Sequence, residues 1–406
     1  MSAKLIGLVG IVVILGLAVL FSSNRKAINL RIVGAAFALQ VTLAALILYV
    51  PAGQAVIDWL SSGVLKVIGY SQAGIDMVFG PLGDVETVGF SFAINVLPII
   101  IFFSALMSVL YHIGVMQFVV KIIGGGLRAV IGTGTVESLN AAANIFVGQT
   151  EAPLVVRPYL KSLTEAQMFA VMTSGLASVA GTVLAAYVLL GAELKYLLAA
   201  SFMAAPGGLL MAKIIMPDPP GTGRQNEKLE MEASQHENVI LAAAVGASDG
   251  LRLAVNIGAM LIAFVALIAL FNGIVGGIAG LFGYTLTLEM LLGWLFSPLM
   301  FLLGVPWAEA QAAGALFGEK LILNEFVAFT HLNDYLAGMS ERTRAIATFS
   351  LCGFANLSSI AILLGGLGVL VPEKRELIAR FGLRAVAAGS LSNLMSAALA
   401  GLLLTF

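Results

Sequence analysis

The sequence predicts an all-α polytopic membrane protein, and three observations carry that prediction. Of the 406 residues, 60% are hydrophobic and only 11% are charged, against about 25% charged in soluble domains. The mean hydropathy is +1.01. Apolar runs of about 20 residues, the length that crosses a bilayer, recur along the chain. Lys+Arg number 21 against 22 Asp+Glu, a formal net charge of −1, so there is no basic excess to hold a nucleic acid. The single cysteine, Cys352, can form neither an internal disulfide nor a thiolate metal site, and the three histidines (His112, His236, His331) show no i, i+4 pairing. These features argue against a disulfide scaffold, a zinc protein, a disordered chain and a DNA-binding protein.

Eight spans are expected. The first, residues 5–21, holds no charge; Arg25, Lys26 and Arg31 follow, and then a second apolar run at 32–50, so the first reads as a retained span and not a cleaved signal peptide. Residues 51–85 mix apolar residues with Asp58, Lys66, Asp76 and Asp84 and are not counted. The third span covers 90–109, and 115–126 is amphipathic and suited to the cytoplasmic interface. The fourth and fifth spans are 167–192 and 196–216, the latter with Lys213 near its end. Residues 217–238 are strongly hydrophilic and read as a soluble loop; 253–281, 345–371 and 385–406 complete the set. Basic residues concentrate after span one (Arg25, Lys26, Arg31), after span three (Lys121, Arg128) and between spans seven and eight (Lys374, Arg375, Arg380, Arg384). The positive-inside rule then places the N-terminus outside, with Arg342 and Arg344 against the trend.

Two further apolar segments do not count as spans. Residues 135–161 are flanked by basic residues on both sides (Lys121, Arg128; Arg157, Lys161) and broken by Gly148 and Pro153 around the polar run Gly148-Gln149-Thr150-Glu151. This is the pattern of a re-entrant helical hairpin with a polar tip; a kinked spanning helix is the alternative. Residues 289–334 are long enough for two short helices, broken near Gly304-Val305-Pro306 and again at Asn324-Glu325, and would enter from the opposite face. Glu137, Arg157, Glu289 and Lys320 read as hairpin ends or structural ion pairs, and His331 as solvent-facing. After each hairpin comes the pattern small-Gly-hydrophobic-Ala-polar: Ser174-Gly175-Leu176-Ala177-Ser178 and Cys352-Gly353-Phe354-Ala355-Asn356. The spacing from Glu151 to Gly175 is 24 residues and from Glu325 to Gly353 is 28. Each unit is a hairpin, an interrupted span and a closing span, so the chain contains inverted repeats, which in transporters meet at a midplane binding site.

A carboxylate deep in a membrane is expensive and usually functional. Glu151 and Glu325 are the two cases here, accompanied by Gln149, Thr150, Asn324, Asn356, Ser358 and Ser359 and by no Arg. Such a set disfavours an anion and suits a neutral, hydroxyl- or amide-rich molecule: carboxylates accept from vicinal sugar hydroxyls, and a Gln amide can pair with a nucleobase edge. Phe354 offers an apolar wall. Oxygen-rich unwound backbone beside Asn144 and Ser178 suits a hard cation such as sodium. No nucleophile–base pair or metal cluster is evident, which argues against an enzyme.

These residues carry a resemblance. Gly148-Gln149-Thr150-Glu151-Ala152-Pro153, Asn324-Glu325-Phe326-Val327-Ala328 and Gly353-Phe354-Ala355-Asn356-Leu357-Ser358-Ser359-Ile360, with the flanking runs 141–147 and Ala204-Ala205-Pro206-Gly207-Gly208, resemble the concentrative nucleoside transporters in their compact bacterial, sodium-coupled form. The likeness runs nearly end to end. It implies a homotrimer in the bacterial inner membrane, each protomer with a fixed scaffold and a mobile transport domain: 1–115 scaffold (spans one to three), 116–216 transport (interfacial helix, first hairpin, spans four and five), 217–288 loop and span six of the scaffold, and 289–406 transport (second hairpin, spans seven and eight). Carried over residue by residue, it implies that Gln149, Thr150 and Glu151 bond the nucleobase with Val183 beside it. Glu325, Asn356 and Ser359 would bind the ribose hydroxyls with Phe354 as a nearby wall, and Asn144, Val147, Ser178 and Val179 would hold sodium. The activity implied is sodium-driven nucleoside import by alternating access, pyrimidine nucleosides such as uridine favoured, with no cofactor beyond the coupling ion. Proton coupling through Glu151 or Glu325 is the alternative.

Overall fold

The computed structural model describes residues 3–219 and 236–404, and all regular structure among them is helical. Most of the predicted soluble loop, 217–238, lies outside the described residues. The chain begins with α1 (Ala3–Leu20) and α2 (Leu30–Leu48), where the Asn29 side chain accepts from the Arg31 and Ile32 N–H groups and caps α2. The mixed segment that the sequence left uncounted forms a 29-residue helix, α3 (Pro51–Phe79), opened by Pro51 at its first turn, where no N–H partner is needed. A π-helical turn (Phe92–Val96) leads into α4 (Leu97–His112). Then come α5 (Val115–Ile131) and α6 (Thr135–Ala143). The amphipathic α5 buries Met116, Val120, Gly124, Leu127 and Ile131, and a Cβ added at Gly124 would lie 2.7 Å from a Leu139 methyl of α6.

The 3-10 segment Ala152–Ser162 precedes α7 (Glu165–Ala177) and α8 (Gly181–Leu189). The chain continues as α9 (Leu194–Ile215) and the 42-residue α10 (Val239–Gly280). The last third holds α11 (Leu288–Leu302), α12 (Trp307–Ile322), α13 (Glu325–Thr330), α14 (Glu341–Leu351), α15 (Ser358–Gly365) and α16 (Arg375–Leu403).

Among the described residues, six helical stretches are long and apolar enough to cross a membrane, or seven if the pair α11 and α12, bent by 117°, is one span. α1 and the second half of the predicted seventh span are apolar but shorter. Two starts move outward from the expected positions. α10 begins at Val239, 14 residues before the expected 253, capped by the Asn238 side chain, which accepts from Leu241 N–H at 2.9 Å; Asp249 and Arg252 are exposed within the helix, 3.9 Å apart at i, i+3. α16 begins at Arg375 and not 385, and its exposed Arg380 meets Glu165 of α7 at 2.6 Å. The segment 289–334 breaks at both expected places and so holds α11 to α13, with a further helical turn beginning at Leu332, where the sequence suggested two helices.

The interior is built from α7, α9 and α16, which are buried over most of their length against other protein; α10 is the reverse, with 17% of its most apolar window buried. Small residues make the contacts close. On α10, Ala242, Gly246, Gly250 and Ala254 are buried at intervals of four, and a Cβ at Gly246 or Gly250 would fall 2.6 or 2.7 Å from the Cβ of Ser108 or Ser104 on α4. Near the end of α9, Lys213 is buried and sits 2.5 Å from Glu137 of α6 and 2.7 Å from Asp218, so Glu137 is in the predicted ion pair. Glu289 instead accepts from the Asn272 amide at 2.9 Å. Lys320 has no ion pair among the described residues; it donates to uncharged oxygens. His331 is not simply solvent-facing: its Nδ1 lies 3.0 Å from the fully buried Glu319, which also accepts from the Tyr335 hydroxyl.

Candidate functional site

Two helical runs are interrupted, and the interruptions meet. α7 stops at Ala177 and α8 starts at Gly181; α14 stops at Leu351 and α15 starts at Ser358. The Phe354 N–H in the second break donates to the Ser178 carbonyl in the first at 3.1 Å. Unwound backbone must find partners inside a membrane protein, and each break finds a carbonyl on, or in the helical turn just before, the preceding polar tip. Gly181 N–H donates to the Phe146 carbonyl at 2.9 Å, and Leu357 N–H donates to the Leu321 carbonyl at 3.1 Å. Both breaks thus return one backbone bond to the segment that carries the preceding tip. The small-Gly pattern has a steric cause: a Cβ on Gly175 would lie 2.9 Å from the Gln149 Cβ, and one on Gly353 would lie 2.3 Å from Asn393 Oδ1.

The first tip runs from Asn144 to Glu151. Asn144 caps α6, its amide nitrogen donating to the Asn140 carbonyl at 2.9 Å. Gly148 then turns the chain, its carbonyl accepting from the Glu151 and Ala152 N–H groups. The second tip is tighter. Asn324 caps α13 by accepting from Val327 N–H at 2.9 Å, which sets Glu325 at the first helical position.

Between the tips and the breaks lies a cavity of about 390 Å³, in the range of small-molecule sites. All eight residues predicted for the substrate line it: Gln149, Thr150, Glu151, Val183, Glu325, Phe354, Asn356 and Ser359. A hydrogen-bonded chain crosses it. Gln149 Nε2 donates to Ser359 Oγ at 3.2 Å. Ser359 N–H and Ser358 Oγ donate to Asn356 Oδ1 at 2.8 and 2.7 Å. Asn356 Nδ2 donates to Glu325 Oε2 at 3.0 Å, and the Tyr187 hydroxyl donates to Glu325 Oε1 at 3.0 Å. Each carboxylate oxygen of Glu325 thus holds one fixed donor and keeps a lone pair for a further one. Glu151 by contrast is exposed to the cavity. No Lys, Arg or His lines the space.

The four residues expected to hold sodium do not line the cavity and are buried: Asn144, Val147, Ser178 and Val179 are 5% exposed or less. Among the described residues Asn144 Oδ1 has no hydrogen-bond partner, and the Ser178 hydroxyl makes one long contact, 3.4 Å, to the Gly175 carbonyl. A Cβ placed on Gly175 would be 3.7 Å from Asn144 Oδ1. An unpartnered amide oxygen beside a weakly engaged hydroxyl and unwound backbone is a donor set that fits a hard cation.

Sequence reasoning missed three contributors. Tyr187 is fully buried, stacked on Phe329 (centroids 4.3 Å apart) and tilted against Phe326; in sequence it is one aromatic in an apolar helix. Leu253, Asn256, Ile257, Met260 and Leu261 of α10 close one wall, with only the lone Asn256 as a signal. Asn393 of α16 donates to the Ala177 and Cys352 carbonyls at 2.6 and 2.8 Å, joining both breaks. Cys352 is itself buried, consistent with packing.

Residues 9–82 and 196–401 match the sequence families described as Na+ dependent nucleoside transporter N-terminus and C-terminus, and 93–194 match nucleoside recognition (Gate). The chain belongs to the concentrative nucleoside transporter family. It is a multi-pass membrane transporter of nucleosides and not an enzyme. The nucleoside permease NupC of Helicobacter pylori is 51% identical over 98% of both chains. An uncharacterized transporter of Haemophilus influenzae is 54% identical over 97% of this chain and 96% of its own. The sodium/nucleoside cotransporter 1 of Mus musculus is 37% identical over 98% of this chain and 64% of its own. Among solved structures, CNTnw in an inward-facing substrate-bound state is 53% identical, with a TM-score of 0.93 over 99% of this chain and 98% of that one.

Proposed function

We propose that this chain is a sodium-coupled symporter that imports nucleosides, uridine and other pyrimidine nucleosides preferentially, by alternating access. The observation that carries the proposal is the hydrogen-bonded chain from Gln149 through Ser359 and Asn356 to Glu325, which spans both breaks and borders one cavity. The Glu325 end, with two clamped carboxylate oxygens and the neighbouring Asn356 and Ser359, suits the paired hydroxyls of ribose, with Phe354 walling it. The Gln149-Thr150-Glu151 end offers an amide, a hydroxyl and a carboxylate to a base edge, with Val183 beside it.

Sodium would be held by Asn144 Oδ1, the Val147 carbonyl, Ser178 and Val179. The ion would order residues 144–149, and Gln149 rides on that segment, so the ion presets the groups that meet the base. Linkage makes the effect mutual: each ligand raises the affinity of the other. The two hairpins (135–161 and 289–334), with α5, α7 to α9 and α14 to α16, form the moving unit. α1 to α4 and α10 form a scaffold through which three protomers assemble in the cell's inner membrane, N-terminus outside.

Labelled uridine uptake into proteoliposomes tests the reading. Replacing inward sodium with potassium or choline abolishes accumulation if it holds. Unchanged uptake defeats sodium coupling, and stimulation by external acid without sodium assigns the coupling to protons. Competition by each natural nucleoside fixes the preference.

A further inference from the structure

Lys320 has no place in the reading above. Its side chain is wholly buried near the end of α12, three residues before the second tip begins. Its ammonium forms no ion pair among the described residues. It donates to the Ser350 carbonyl at 3.2 Å and to Asn393 Oδ1 at 2.7 Å, with the Phe317 ring centroid 5.7 Å away. A buried ammonium without a carboxylate in contact is costly to keep, so its setting bears on what it does.

The groups it touches are neutral oxygens and an aromatic face, as around a bound cation, and the nearest charge acting on it, Glu325 of the second tip, acts without direct contact. Through Asn393 the charge reaches both breaks. The Asn393 oxygen accepts from Lys320, and its nitrogen donates to the carbonyl of Ala177, the last residue of α7, and to that of Cys352, the first residue past α14. Polarising the amide at its oxygen strengthens the donors on its nitrogen. The absence of a Cβ at Gly353 is what admits Asn393 to this position.

At the first break the same need is met differently. Asn144 stands at the end of α6 as Lys320 stands near the end of α12, but Asn144 Oδ1 is buried and unpartnered. We propose that Lys320 is a resident cation, a positioning residue that organises the second break as a bound sodium organises the first. The inference rests on the sodium reading for the first break. It gives the transporter one exchangeable cation position and one filled by its own side chain.

The test uses the full-length protein with two variants. Lys320→Met keeps an unbranched stem and removes the charge; Lys320→Ala vacates the position. Uridine binding is measured by calorimetry at saturating sodium, and uptake in proteoliposomes is measured across a sodium series. Lys320→Met is expected to fold and to lose about tenfold or more in uridine affinity. In Lys320→Ala the Hill coefficient for sodium is expected to rise from about 1 toward about 2, as a second ion takes the vacated place. Wild-type uridine affinity in Lys320→Met overturns the proposal. So does failure of Lys320→Met to fold at any sodium concentration, since a packing role then suffices; if only Lys320→Ala fails to fold, the Met variant decides. Sodium-independent uptake by the unsubstituted chain defeats the sodium reading instead, and the Met comparison, made at constant ion, still reports whether the charge is needed.

Discussion

Glu151 and Glu325 are equals in the sequence, each at a helix break after an apolar segment, but the fold treats them differently. Glu325 is 4% exposed and held on both oxygens, by Tyr187 from α8 and Asn356 from the second break. Glu151 opens on the cavity from a tip turned by glycine, and its carboxylate is held only by its own tip, by the Thr150 hydroxyl and neighbouring backbone N–H groups, with no partner from another element among the described residues. A carboxylate with two fixed donors is preorganised for one arrangement of partner hydroxyls, at little ordering cost on binding. One on an exposed turn can follow partners of different shape. On our reading the sugar end is the invariant part of the ligand and the base end the variable part, and the rigidity of the site is divided accordingly.

Substitutions can break this contrast. Glu325→Gln turns an acceptor facing two donors into an amide with a misplaced N–H. It should cost about 3 kcal/mol or more of uridine kcat/KM in uptake assays, over a hundredfold. Glu151→Gln removes one charged, partly solvated acceptor and should cost about 1.5–2 kcal/mol, roughly ten- to thirtyfold, in the same assay. Equal losses in the two variants would remove functional weight from the difference in clamping. Tyr187→Phe keeps the stack on Phe329 but drops one donor to Glu325. It should weaken uridine binding by about 1 kcal/mol while leaving thermal unfolding nearly unchanged, and the loss should shrink for a nucleoside lacking a ribose hydroxyl. An equal loss for the deoxy compound would detach Tyr187 from the sugar end. Lys161→Ala breaks an exposed 2.6 Å pair with Glu373 far from the cavity lining and should leave uptake unchanged.

What could be read in advance follows from how each feature writes itself into a sequence. Glu151 and Glu325 are legible because charge is scarce and each sits in a polar run at a Gly or Asn break. Gly175 and Gly353 are legible because a repeat of close approach requires a repeat of glycine. Tyr187 is not: a buried aromatic in an apolar helix looks like packing, and only the arrival of Glu325, 138 residues later, gives its hydroxyl a role. Asn393 is hidden for the same reason, one amide in a helix of small residues whose partners come from two other elements. Lys320 reads in sequence as a hairpin end or a structural ion pair; it does stand near the end of α12, but its hydrogen-bond partners are neutral oxygens that come from two other elements. Helix starts moved at α10 and α16 because charged residues that look like loop from hydropathy alone can extend a helix into water.

The 42 residues of α10 have a consequence for the membrane itself. Its apolar part, residues 253–280, is 28 residues long, about 42 Å of helix, while the hydrocarbon core is about 30 Å thick. Standing upright, it would leave about 12 Å of apolar surface in water. A lean of about 45° removes the mismatch, as does a locally thicker bilayer. Leu253, Asn256, Ile257 and Met260, which wall the cavity, lie on this over-long stretch. Whatever relieves the mismatch acts on one side of the binding site, so bilayer thickness is a variable of substrate binding as well as of insertion.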